Sequence, residues 1–241
     1  MTPTRLETPA AGGNDQVKTV NKSPPRDCPR CARLAAFRRE WQDRQPEWHN
    51  APVPRFGDPN ARLLVVGLAP GLRGANRSGR PFTGDGAGNT LYSALAAFGF
   101  STGRYQARAD DGLALVDCAV TNAVRCAPPG NRPSGEEVRT CRAYLLADIR
   151  SLQRLRIILA LGRIAHESVL RALGRRPAEA AFSHGGRHEL GALTLHSSYH
   201  CSRYNINTRR LTEAAFSEIF ARIRSELNAL PAQNRAFRLE T

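Results

Sequence analysis

Four of the six cysteines in this chain have a spacing that could hold metal. Cys28 and Cys31 form a CxxC pair, which can grip one metal centre from a turn. Cys126 and Cys141 supply a second pair from elsewhere in the chain. Four thiolates suit either a tetrahedral zinc or an iron–sulfur cluster. A zinc knuckle usually closes on a second tight CxxC, so the long Cys126–Cys141 interval suits a cluster lodged between a loop and a helix better. From spacing alone, cluster, zinc and no metal all stay open. A redox CxxC normally follows a strand, whereas this one follows a polar N-terminal stretch. Cys118 reads as core packing, and nothing near Cys201 argues for reactivity.

A second set of residues sits where strands give way to loops. Gly67-Leu68-Ala69-Pro70-Gly71 turns sharply after an apolar run, and glycine lets backbone approach a ligand closely. Further on, Phe82 stands between Pro81 and Thr83, where an aromatic ring could stack on a flat base. Asp85 lies between two glycines. Asn122 offers a donor and an acceptor together, enough to read a base edge in two bonds. His196 could hydrogen-bond an oxygen that gains charge as a bond breaks. Ser198, Tyr199, His200 and Arg203 form a polar, bulky loop that could enter a duplex groove as a wedge. Each residue also has a plainer reading: Phe82 as a loop anchor, Asp85 as a turn residue or cap, Asn122 as a strand-end turn, His196 as a satisfied structural histidine. No GxxxxGK[ST] or GxGxxG run is present, so nucleotide hydrolysis loses its best sequence support.

The elements that must position these residues alternate along the chain. Leu34, Phe37 and Trp41 give a helical period. Arg62 to Gly67, Leu115 to Val120, Arg156 to Leu161 and Leu193 to His196 read as short buried strands. Helices are expected from Asn89 to Phe98, with Asn89 or Thr90 near the cap, and from Ser134 to about Leu152. Two more run from Gly162 to about Leu173 and from Thr212 to Leu227. Strand–helix alternation of this kind means a parallel sheet covered by helices, with ligands at the loops beyond the strand carboxyl ends. Those loops would begin at Gly67, Val120, Leu161 and His196. One domain over 26–228 is expected, flanked by a disordered tail over 1–25 and a C-terminal tail over 229–241.

The formal net charge is +14, which favours a polyanionic partner such as nucleic acid. Lys18 and Lys22 are the only lysines, so a general arginine bias could also inflate that charge. No secretory signal opens the chain, and no apolar run approaches the roughly 20 residues of a membrane span. A cytoplasmic protein with no membrane association is expected.

Taken in order, these motifs resemble the family-5 uracil-DNA glycosylases, the UDGb type. The likeness rests on Cys28-x2-Cys31, Gly67–Gly71, Gly79–Asp85, Thr121-Asn-Ala-Val-Arg-Cys126, Cys141 and the His196-Ser-Ser-Tyr-His loop, and covers about Cys28 to Phe220. It implies an α/β fold, a three-layer α/β/α sandwich around a central four-stranded parallel sheet. It implies a structural [4Fe–4S] cluster on Cys28, Cys31, Cys126 and Cys141. It also implies base flipping in DNA, uracil-containing or otherwise base-damaged and double-stranded, by a monomer. On this resemblance Gly67, Leu68, Ala69, Gly71, Phe82, Asn122 and His196 form the substrate site. Phe82 would stack on the flipped base, Asn122 bind its edge and His196 stabilise the departing base. Related families carry a polar, water-positioning residue where this chain has Leu68, and the role would pass to Asp85. A carboxylate there would also favour oxocarbenium character in the sugar. The family's His-Pro-Ser appears here as His196-Ser197-Ser198, and Arg203 to Arg210 departs from its usual run. The competing reading is a noncatalytic metal-stabilised nucleic-acid-binding protein, which has no use for a carboxylate such as Asp85 facing DNA.

Overall fold

A computed structural model describes residues 23–230. The tails expected over 1–25 and 229–241 fall almost wholly outside these residues. In chain order the first half forms α1 (Ala32–Arg44), β1 (Phe56–Gly57), β2 (Leu63–Gly67), α2 (Ala75–Ser78), α3 (Gly86–Ala97), β3 (Ser101–Thr102), β4 (Ala114–Leu115) and β5 (Cys118–Asn122). The second half forms α4 (Gly135–Ser151), β6 (Ile157–Leu161), α5 (Arg163–Ala172), β7 (Arg187–Leu190), β8 (Leu193–Ser198), α6 (Arg203–Asn207) and α7 (Glu213–Ala229).

Strands β2, β5 and β6 are buried at every residue, because helices cover both of their faces. They pair with β8 in the order β5-β2-β6-β8, all parallel, which is the expected four-stranded centre. Two edge strands, β1 beside β5 and β7 beside β8, join antiparallel and make six strands in all. Neither carries a strand signature: β1 is two residues long, and β7 reads Arg-His-Glu-Leu.

The pleat sorts side chains into two cores. Leu63, Val65, Val120 and Leu159 pack with α3 and α7. Leu64, Val66, Ile158, Leu193 and Leu195 pack with α4 and α5. A third, smaller cluster joins Leu34 of α1 to Val138 and Tyr144 of α4, with the four spaced cysteines against or within it. A buried ion pair ties the layers together. Arg125 and Asp148 join directly, and Thr121 Oγ1 donates to Asp148 at 2.7 Å.

Helix starts follow their caps. Ser134 and Glu137 form a capping box at α4, as the Ser-Gly-Glu-Glu run suggests. Helix α3 begins three residues earlier than expected, because Asp85 and not Asn89 is its cap; the Asp85 side chain accepts from Gly88 N–H at 3.1 Å. Strands β5 and β8 each extend two residues past their expected ends, and β5 begins only at Cys118, because Leu115 belongs to the separate β3–β4 pair. In β8 that places His196 inside the strand, with Ser197 and Ser198 registered against Ala160 and Leu161. Among the described residues no helix is long and apolar enough to cross a membrane.

Candidate active site

A cavity of about 980 Å³ opens beyond the carboxyl ends of the parallel strands. Leu68, Ala69, Gly71, Phe82, Asp85 and Asn122, all singled out in the sequence, line it. Gly67 lies just behind them and makes their convergence possible. A Cβ at position 67 would collide with Asn122 Oδ1 and stand 2.5 Å from Phe82 Cζ. Gly74 does the same for the carboxylate, since a Cβ there would come within 2.8 Å of Asp85 Oδ2.

Phe82 is almost fully buried and holds a left-handed backbone, φ +53°, which costs energy for a non-glycine residue. Its neighbours enforce that conformation. Tyr105 Oη donates to Phe82 O at 3.2 Å and accepts from Gly84 N–H at 3.3 Å. Tyr92 Oη donates to Pro81 O at 2.6 Å. The Arg80 guanidinium forms two 2.8 Å bonds to the buried Asp111 carboxylate and lies over the Tyr92 and Tyr105 rings. Hydrogen bonds from Arg80, Gln106 N–H and Leu113 N–H hold the Asp111 carboxyl well below the usual range. The sequence alone does not reveal this anchor, because Arg80 and Asp111 lie 31 positions apart.

The structure corrects the histidine. His196 does not reach the cavity. Leu193 and Leu195 face α4 and α5, so strand alternation turns His196 toward α7. There its Nε2 lies 3.1 Å from Glu226 Oε1, close but misaligned for a hydrogen bond. Four residues on, His200 lines the cavity and stacks on Phe82, ring centroids 5.9 Å apart. Burial lowers the His200 pKa, with Asp85 pulling weakly the other way, so the imidazole is neutral near pH 7. The signal was present: His-x-Ser recurs at His200-Cys201-Ser202, after the last residue of β8.

The presumed wedge is also rearranged. Ser198 is buried and donates to Tyr199 O at 2.8 Å. Tyr199 is half-buried, stacked on His184 at 5.0 Å, and so is not free to enter a duplex. Ser197 is buried too, with its hydroxyl 2.6 Å from His166 Nδ1. The exposed aromatic at the cavity mouth is Tyr204, at 71% exposure, beside Arg203 and Ile164.

The four spaced cysteines do come together. Cys28, Cys31, Cys126 and Cys141 line one small pocket with Leu34, Val124 and Tyr144. Among the described residues no three His, Cys, Asp or Glu gather closely enough to hold a single metal ion. Burial and the neighbouring thiols push Cys31 up to about 11, and burial raises Cys126 to about 12. Arg125 N–H donates to Cys141 Sγ at 3.3 Å, and Arg38 Nη1 to Cys126 Sγ at 3.6 Å. Arg38 is 6% exposed, its Nε has no partner, and no carboxylate among the described residues pairs with it. A buried guanidinium without a counter-anion is costly, and thiolates bound to a cluster would supply one. Four soft donors, an apolar wall, a backbone N–H and a guanidinium fit an iron–sulfur cluster.

Comparison with known proteins gives the family to which this fold belongs. The profile of the uracil DNA glycosylase superfamily matches residues 54–224. A type-5 uracil-DNA glycosylase of Thermus thermophilus is 45% identical over 199 residues, covering 80% of this chain and 90% of that protein. One from Pyrobaculum aerophilum is 39% identical over 231 residues, 94% of this chain and 98% of that protein. A type-4 uracil-DNA glycosylase of Archaeoglobus fulgidus matches at 36% over 118 residues, 48% of this chain. The chain belongs to the uracil DNA glycosylase superfamily, and within it to the type-5 family.

Proposed function

We propose that this protein hydrolyses the N-glycosidic bond of uracil, and of other deaminated or modified bases, in DNA, opening base excision repair. The observation that carries this reading is the meeting of Phe82, Asn122, Asp85 and His200 around one cavity at the strand ends. A base must leave the stack to enter such a cavity, and a mispaired base costs least to extrude. Phe82 stacks on its face and Asn122 pairs with its edge. Water adds to the sugar C1′ as the bond to the base breaks, and the base leaves with the electron pair. Asp85 takes the proton from that water and stabilises positive charge on the sugar. The neutral His200 donates a hydrogen bond to the base carbonyl as negative charge collects there. Leu68 lines the cavity and has no polar group to hold water, which leaves that task to Asp85.

Tyr204 stands where it could fill the gap left in the duplex, with Arg203 on a phosphate. Cys28, Cys31, Cys126 and Cys141 would hold a [4Fe–4S] cluster, which when bound would cross-link α1, α4 and the loop after β5. We read the protein as a cytoplasmic monomer acting on double-stranded DNA.

A nicking assay tests the reading. Cluster-loaded protein should leave alkali-labile abasic sites in a duplex with a single U:G pair. A loaded preparation that binds this duplex and leaves none would favour the noncatalytic alternative. The same assay across hypoxanthine and oxidised pyrimidines, opposite G and A and in single strands, sets the substrate range.

A further inference from the structure

We propose that the smaller cavity beside the base pocket seats a backbone phosphate of the strand carrying the target nucleotide, gripped by Arg163 and Arg210. The inference rests on DNA being the substrate, as argued above. This cavity, of about 270 Å³, shares Gly162, Arg163 and His200 with the base pocket, so the two adjoin. A nucleotide whose base fills one can set its sugar–phosphate chain at the other.

The lining fits an anion. The Arg163 guanidinium lies 5.5 Å from the centre of the Phe182 ring, and that of Arg210 lies 4.6 Å from the Tyr199 ring. No carboxylate among the described residues pairs with either. Two uncompensated cations thus border one polar cavity, with Ser183 and Asn205 beside them. A guanidinium held over a ring keeps N–H groups with which to donate, a chemistry that suits a phosphate. A base is a poorer occupant. The Tyr199 ring is already taken by Arg210 and by His184, stacked within 5° of parallel, and Phe182 packs on His166 and Arg163. Little aromatic face is left for stacking. A phosphate held here would fix the strand's register while its neighbour is extruded, which a diffuse basic surface cannot do.

The test uses the full, cluster-loaded chain and U:G duplexes in which one linkage at a time is a neutral methylphosphonate. Wild type is compared with the R163Q/R210Q double variant for Kd and its salt dependence. Both arginines are exposed, and thermal melting checks that the variant folds. At one linkage flanking the uracil, neutralisation should weaken wild type about tenfold and leave the double variant unchanged. The slope of log Kd against log salt should fall by about 1 in the variant. If neutralisation at every linkage costs the variant as much as wild type, the seat does not exist. If the variant's loss disappears only when the opposing guanine is removed, the cavity takes a base and the proposal is overturned as well. Wild type that shows the phosphate signature but makes no abasic site fails the glycosylase reading alone. Wild type that excises uracil with no linkage dependence fails this inference alone.

Discussion

The rings of Phe82 and His200 stack 5.9 Å apart, inclined by 24°, at the floor of the large cavity. One comes from the loop between α2 and α3, held in a left-handed backbone, and the other from the loop after β8. Neither loop builds a site alone. The parallel order β5-β2-β6-β8 brings their strand ends to one edge, with Asn122 at the end of β5 beside them. Four consequences can be measured.

Asp85 has two jobs, and substitution should separate them. It caps α3 through Gly88 N–H, and it lines the cavity. Asp85→Asn keeps an N-cap acceptor but loses the base, so single-turnover excision should fall by about 10²–10⁴ with little change in melting. Asp85→Ala should add about 1 kcal/mol of destabilisation. Equal loss of DNA affinity and turnover in Asp85→Asn would make the residue structural only.

The two histidines should behave oppositely. His200→Gln should slow excision by about 10²–10³, the usual cost of removing one transition-state donor. His196→Gln, on the strand face turned to Glu226, should lower the melting temperature while leaving the single-turnover rate within a few-fold. The reverse pattern would return the role to His196 and contradict the strand register.

Arg38 should matter for the cluster. Arg38→Gln removes the buried cation beside Cys126 and its Cys28 carbonyl contact at 3.1 Å. Purified variant should carry less iron per chain and lose its visible absorbance faster in air than wild type. Chelation of wild type should lower its melting temperature. A colourless wild-type protein with stoichiometric zinc would overturn the cluster assignment.

Acid should destabilise the fold early. Burial, the largest cause in each case, holds His49, His166, His184, His196 and His200 below their ordinary 6.5. Folded-state values below the unfolded one mean the unfolded chain binds more protons in acid. Stability is therefore full above pH 6.5 and is lost as pH falls from there toward the folded-state values. Between pH 7.5 and 5.5 the melting temperature should drop by roughly 5 °C or more. A flat profile over that interval would mean these rings protonate freely in the folded state.

Much was decided along the chain itself. Four short runs rich in apolar residues marked the four parallel strands, Ser134 and Thr212 set helix starts, and +14 of charge pointed to a polyanion. The GxAPG turn, Phe82, Asp85, Asn122 and the cysteine spacing were visible because each sits in a local run with its own chemistry. What the chain alone left undecided depended on long-range pairing. Whether β8 stops at His196 or Ser198 is settled by Ser197 and Ser198 registering against β6, and a strand's side chains change face at every residue. That single boundary puts His200, and not His196, on the cavity lining and turns Tyr199 against His184, with Tyr204 exposed at the mouth. The Arg80–Asp111 anchor and the burial of Arg38 beside the cysteines were likewise invisible, because burial and partnership exist only once distant segments pack together.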